Sequence, residues 1–241
     1  MLFVPTWNLV DSRVVGHQVV ALEPHATVIT YDPRGAGESE RPASGYGFAH
    51  HAADALAVLD ANGIKRAAVL TASRGLNAAV VLASDHPGRV VRIASIGSYM
   101  VLDAEPAAPD EDRLASLVDD WPAFIIPFMH RVFNEAGSKA VIEEMVGIGL
   151  EASPVVVAAQ ERELDWSDPA HRLPEIPCPT LLIHGGADAT VPPSLPHAIA
   201  NAMPDARVTI VAAGGHRPDI RSPELVNPML LDFLLEIDNR P

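Results

Sequence analysis

Three polar residues, Ser73, Asp188 and His216, have side chains that could carry out acyl transfer together. A serine hydroxyl becomes a nucleophile when an imidazole takes its proton. The imidazole does this well when a carboxylate holds its tautomer and orientation. Each of the three follows an apolar run. Ser73 closes "VLTASRG", Asp188 stands in "HGGADATVP" after Thr180–His184, and His216 stands in "AAGGHRPDI" after Arg207–Val211. If those runs are parallel strands, all three groups leave their C-terminal ends and converge on one edge of a sheet. The chain order serine, acid, histidine is the one expected of that arrangement.

Ser73 is placed where an apolar strand gives way to a helical pattern with Leu76, Ala79, Val80 and Ala83 on one side. Such an elbow exposes the hydroxyl and aims the backbone N–H of Arg74 toward the same space. The turn is crowded and calls for small neighbours. Ala72 and Gly75 meet that need, but Thr71 stands where G-x-S-x-G has its first glycine. Each residue also admits a structural role: Ser73 as a helix N-cap, Asp188 as cap of a helix near Pro192, His216 as a solvated loop residue. Asp103 is the runner-up acid.

The elements that would position these groups can be read from hydrophobic periodicity. Strands are expected at Leu2–Val4, Thr27–Tyr31, Ala67–Leu70, Val90–Ile96, Thr180–His184 and Arg207–Val211. Helices are expected at Phe48–Ala61, after Ser73, and near Leu195–Met203. A last helix starts at the N-cap Ser222 with Pro223 in its first turn, and its stripe is Val226, Met229, Leu230, Phe233, Leu234 and Ile237. Residues 98–172 contain no clear strand and hold helical patterns such as Val141–Leu150. The fold class is α/β: a mostly parallel sheet with helices on both faces, built from 1–97 and 173–241, with 98–172 a helical cap over the sheet's C-terminal edge.

Other chemistries fit less well. "DPRGAG" follows a strand, but Glu40 stands where a dinucleotide fingerprint needs a small residue, and no P-loop is present. The ten histidines show no metal-ligand spacing, so neither metal nor cofactor is expected; His50 and His51, adjacent on a helix, read as surface residues. Cys178, the only cysteine, reads as a small buried hydrophobe; it excludes an internal disulfide and fits a reducing cytoplasm. A net charge of −14 argues against nucleic acid and anionic membranes as partners, and no run is long and apolar enough to span a bilayer. A small-molecule substrate is the partner expected; oligomeric state is not legible.

These motifs together resemble the α/β-hydrolase superfamily over nearly the whole chain. "YDPRGAGESERP" is similar to the family's D-x-R-G-x-G-x-S turn, "VLTASRG" to its nucleophile elbow, and the Asp188 and His216 loops to its acid and histidine loops. The chain is most similar to bacterial hydrolases that occur alone or beside nucleotide-cyclase or regulatory domains, where "FVPTW" and "GHRPDIRSPELVN" have close counterparts. The resemblance implies Ser73 as nucleophile, His216 as base and Asp188 as its orienter. It also implies an oxyanion hole from the backbone N–H groups of Trp7 and Arg74, although Pro5-Thr6 replaces the family's His-Gly. The family usually has a hairpin of strands before the one at Leu2–Val4, and none stands there in this sequence; either an exposed sheet edge is expected or Met1 is not the natural start. The activity implied is hydrolysis of a carboxylic ester or similar acyl compound. Trp7, Trp121, Phe124 and Phe128 are the candidate pocket walls. The rival readings are a small-ligand sensor on the same fold, or cofactor-free peroxidase-like or carbon–carbon bond-cleaving chemistry.

Overall fold

Alternation along the strands decides the architecture. The computed structural model of the chain describes residues 1–103 and 108–235; Ile237, expected in the last helix's stripe, lies outside them. Five parallel strands, β1 (Leu2–Val4), β2 (Ala67–Ala72), β3 (Val90–Ile96), β4 (Thr180–Gly185) and β5 (Ala206–Val211), form one sheet in the order β1-β2-β3-β4-β5. Successive strand side chains point to opposite faces. Phe3, Leu70, Ala94, Ile96, Leu181 and Ile183 join one apolar cluster, while Leu2, Val4, Val69, Ile93 and Leu182 join the other. Both faces of β1 to β4 are therefore covered, which is why these strands read as largely apolar runs, while β5 at the edge is only partly buried.

One face is covered by α1 (Gly16–Leu22) and α11 (Pro223–Leu234), the other by α2 (Phe48–Ala61), α3 (Gly75–Asp85) and α9 (Leu195–Asn201). Among the described residues, five helices lie between β3 and β4: α4 (Glu111–Asp119), α5 (Trp121–Val132), α6 (Lys139–Glu151), α7 (Pro154–Glu163) and α8 (Ser167–His171). A four-residue helix, α10 (Pro218–Arg221), follows His216 directly. No helix among the described residues is long and apolar enough to cross a membrane.

Several expectations are corrected. Thr27–Tyr31 is not a strand: it meets β1 through one bridge, Leu2 to Ile29, because among the described residues it runs alongside β1 only around Ile29. The edge of β1 is nevertheless not bare, since Phe3 N–H donates to Ile29 O and Ile29 N–H donates to Met1 O. Ser222 precedes α11 but makes no side-chain capping bond. A short 3₁₀ turn, Ser12–Val15, and α1 fill a stretch where the sequence showed no pattern. Cys178 is buried as expected, and burial pushes its thiol up to about 12.

Candidate active site

The elbow forms as the sequence suggested, and its geometry is strained. Ser73 has φ +49°, the only positive φ of a non-glycine residue among those described. Such a backbone costs of order 1–3 kcal/mol and persists only where its surroundings enforce it. Here Ser73 N–H donates to Ile96 O (2.8 Å) and Ser73 O accepts from Tyr99 N–H (3.2 Å), which fastens the turn to β3. Gly75 must lack a side chain. A Cβ there would lie 2.1 Å from Thr71 Oγ1 and 2.7 Å from Pro5 O.

The three polar groups meet. His216 Nε2 is 3.1 Å from Ser73 Oγ, and His216 Nδ1 is 2.8 Å from Asp188 Oδ2. A carboxylate only accepts, so Nδ1 carries the proton and Nε2 presents a lone pair to the serine hydroxyl. The other carboxylate oxygen, Oδ1, accepts from Thr190 N–H (2.7 Å) and Val191 N–H (2.9 Å). Asp188 thus fixes its own loop and the imidazole at once. Asp103 makes no bond to His216 among those the structure contains.

A second histidine was missed in the sequence. His184, fully buried, places Nε2 3.2 Å from Asp188 Oδ2 and 3.2 Å from Val191 O. Both neighbours are acceptors, so His184 Nε2 carries a proton. Burial works against the charge on Asp188. Hydrogen bonds from His184 and His216 outweigh it and hold the carboxyl well below the ordinary aspartate range. The only sequence signal for His184 was its position four residues before Asp188.

The backbone N–H groups of Trp7 and Arg74 donate no hydrogen bond among the described residues. The Arg74 guanidinium pairs with Glu161 of α7 and lies 3.7 Å from the Trp7 ring centroid. A narrow cavity of about 40 Å³ opens beside Ser73 and His216. Leu9, Val14, Phe128, Met129, Phe133 and Met145 are among its walls.

The family pattern described as alpha/beta hydrolase fold matches residues 2–142. This chain belongs to the α/β-hydrolase family. RutD of Caulobacter sp. (strain K31), named for a proposed carbamate hydrolase activity, is 30% identical over 226 residues, 90% of this chain and 84% of that protein. The crystal structure of an enol-lactonase from Burkholderia xenovorans LB400 superposes with a TM-score of 0.86 at 25% identity, covering 98% of this chain and 90% of that one. A thermophilic esterase from Thermogutta terrifontis gives 0.85 at 26%, covering 97% and 89%. The likeness supports a hydrolase of this family.

Of the four aromatic residues expected as pocket walls in this α/β-hydrolase, two line the cavity: Trp7 and Phe128. Phe124 stacks on Phe128 (5.8 Å between centroids), and Trp121 stacks on Phe124 (5.3 Å), both outside the cavity lining. Trp121 is buried, and its indole N–H donates to Gly149 O (2.8 Å), which makes it a helix-packing residue. Thr71 lies outside the cavity lining. It is fully buried, pairs in register with Val4, and donates its hydroxyl to Val4 O (2.8 Å). His51 also departs from expectation. It is buried, and Gln160 Nε2 of α7 lies 3.1 Å from its Nε2; α7 covers the helix face that the sequence left open. No group of three or more His, Cys, Asp or Glu able to hold a metal ion occurs among the described residues.

Proposed function

We propose that the chain is a serine hydrolase that cleaves small carboxylic esters or similar acyl compounds through an acyl-enzyme on Ser73. The observation that supports this reading most directly is the relay of short contacts from Ser73 Oγ through His216 to Asp188, at 3.1 and 2.8 Å. Ser73 Oγ attacks the acyl carbon while its proton passes to His216 Nε2. The carbonyl oxygen becomes an oxyanion and takes hydrogen bonds from the free N–H groups of Trp7 and Arg74. Each such donor is worth roughly 3 kcal/mol in comparable sites. As the tetrahedral intermediate collapses, His216 gives its proton to the leaving alkoxide. The imidazole then deprotonates water, which attacks the acyl carbon and releases the acid with the proton restored to Ser73. Asp188 stays ionised throughout and stabilises the transient imidazolium.

Helices α5 and α6 of the insert at 98–172 act as the cap in this reading, because Phe128, Met129 and Met145 close the cavity over Ser73. At about 40 Å³ the cavity is far smaller than the sites that hold drug-sized ligands, and its wall is largely apolar. This favours a short apolar acyl group. Lactones and carbamates, the substrates for which two of the relatives are named, present an acyl carbon open to the same steps.

The test is turnover of p-nitrophenyl acetate, butyrate and octanoate, with labelling by a fluorophosphonate. Wild type is expected to prefer the two shorter esters and to be labelled on Ser73. Ser73→Ala is expected to lose at least about 10⁴-fold in kcat and all labelling. A wild-type chain that neither turns over nor labels, yet binds a small apolar ligand, would make it a sensor.

A further inference from the structure

We propose that Glu135, in the turn between α5 and α6, is a positioning residue for His216; the inference rests on the proposed hydrolase reading. The segment from Val132 to Ser138 is fastened to the loops that carry the base and the acid. His216 N–H donates to Val132 O (3.2 Å), and Asn134 Nδ2 donates to Ala187 O (2.9 Å) beside Asp188. Arg221, at the end of α10, donates from Nε to Ser138 Oγ (3.1 Å). The shortest of these bonds is charge-assisted: Gly215 N–H donates to Glu135 Oε1 at 2.6 Å, one residue before the imidazole.

Two details give Glu135 a positioning part beyond that of a surface cap. Its second oxygen, Oε2, is buried without a partner among the described residues, so docking the carboxylate against the loop costs desolvation. The loop is also shaped to admit it, because a Cβ at position 215 would lie 2.7 Å from Glu135 Oε2 and 2.5 Å from Asn134 Oδ1. A side chain at 215 would push the ends of the Glu135 and Asn134 side chains aside. With the carboxylate in place, the backbone leading into His216 is held from the insert side while Asp188 holds the ring from the sheet side. A shift of about 1 Å in that backbone would lengthen the contact from His216 Nε2 to Ser73 Oγ, and misplacement on that scale costs up to about 100-fold in rate.

The test uses the full chain and the variants Glu135→Ala, Glu135→Gln and Gly215→Ala. Glu135→Ala is expected to lower kcat for p-nitrophenyl acetate by about 10- to 100-fold with KM within about twofold, and to shift or broaden the downfield proton resonance of His216 Nδ1–H. Glu135→Gln keeps an acceptor for Gly215 N–H and is expected to retain kcat within about threefold. Gly215→Ala displaces the carboxylate and is expected to copy Glu135→Ala, with little further loss in the double variant. Wild-type kcat and an unchanged resonance in Glu135→Ala would overturn the proposal. So would equal losses in the Ala and Gln variants accompanied by equal falls in melting temperature, the mark of a merely structural contact. If wild type turned over no ester, the hydrolase reading would fail by itself, while the His216 resonance in Glu135→Ala would still decide whether Glu135 positions the ring.

Discussion

At the scale of single residues, Thr71 carries an instructive outcome. Its position suggests a defect in the elbow, because the family's pattern has glycine there. In the fold, its hydroxyl occupies the space a Gly75 side chain would need and satisfies Val4 O at the start of the loop that carries Trp7. Thr71→Gly, which writes the family's usual pattern, is therefore expected to destabilise the chain by about 2 kcal/mol. About half of that is the lost hydrogen bond and half the added backbone freedom within a strand. A urea titration of wild type and variant checks this, and a gain in stability would contradict it. At Asp188, Asp188→Asn leaves a side chain of the same shape but removes the acceptor that holds Nδ1–H. A fall in kcat of about 10⁴-fold is expected, with Ser73 labelling slowed in parallel. The meeting of Ser73, Asp188 and His216 was legible because each stands at or shortly after the C-terminal end of a parallel strand, so their loops leave the same edge of the sheet. His184 was not, because four-residue spacing at a strand end does not tell which side chain turns toward the carboxylate, and Glu135 was not, because its contact joins distant segments.

Helix α7 shows what a single element adds. It supplies Gln160 to His51 and Glu161 to Arg74, and so seals the open side of α2 and steadies the residue after Ser73. Adjacent histidines on α2 read as surface because helical spacing tells where a side chain points but not what later packs over it. Burial dominates at His51 and lowers its pKa to about 4, with Arg34 and His50 acting in the same sense and Asp54 against them. The folded chain therefore binds this proton less readily than the unfolded one. Stability that is fully present above about pH 6.5 is lost as pH falls toward about 4, by up to about 3 kcal/mol. Thermal melts at pH 7 and pH 4.5 are expected to show a smaller difference for His51→Gln than for wild type. The strands and the longer helices were legible at this scale, with Phe48–Ala61 and Val90–Ile96 at the bounds read from periodicity. The Thr27–Tyr31 segment has the β-branched composition of a strand, yet only Ile29 bridges to β1, and composition does not encode how long a segment runs beside a sheet edge.

For the molecule as a whole, acidic groups outnumber basic ones 31 to 17, and the net charge of −14 opposes compaction. Raising salt from about 20 mM to about 200 mM is expected to raise the melting temperature by about 2–4 °C, as screening relieves roughly 1 kcal/mol of self-repulsion. An unchanged melting temperature would mean that the charges are already dispersed. The two-faced sheet was legible from the sequence because β1, β2 and β4 read as largely apolar runs. How closely the insert grips the core was not, because to a shared apolar cluster it adds main-chain bonds and polar side-chain contacts scattered between residues 132 and 163. Val132 belongs to both the grip and the binding space. It lines the cavity while its carbonyl receives the N–H of His216. Trimming its side chain leaves the carbonyl contact in place but costs packing, because Val132 is buried in the apolar cluster. Grafting in a foreign insert would change the contour of the binding space and the seat of the imidazole in one stroke.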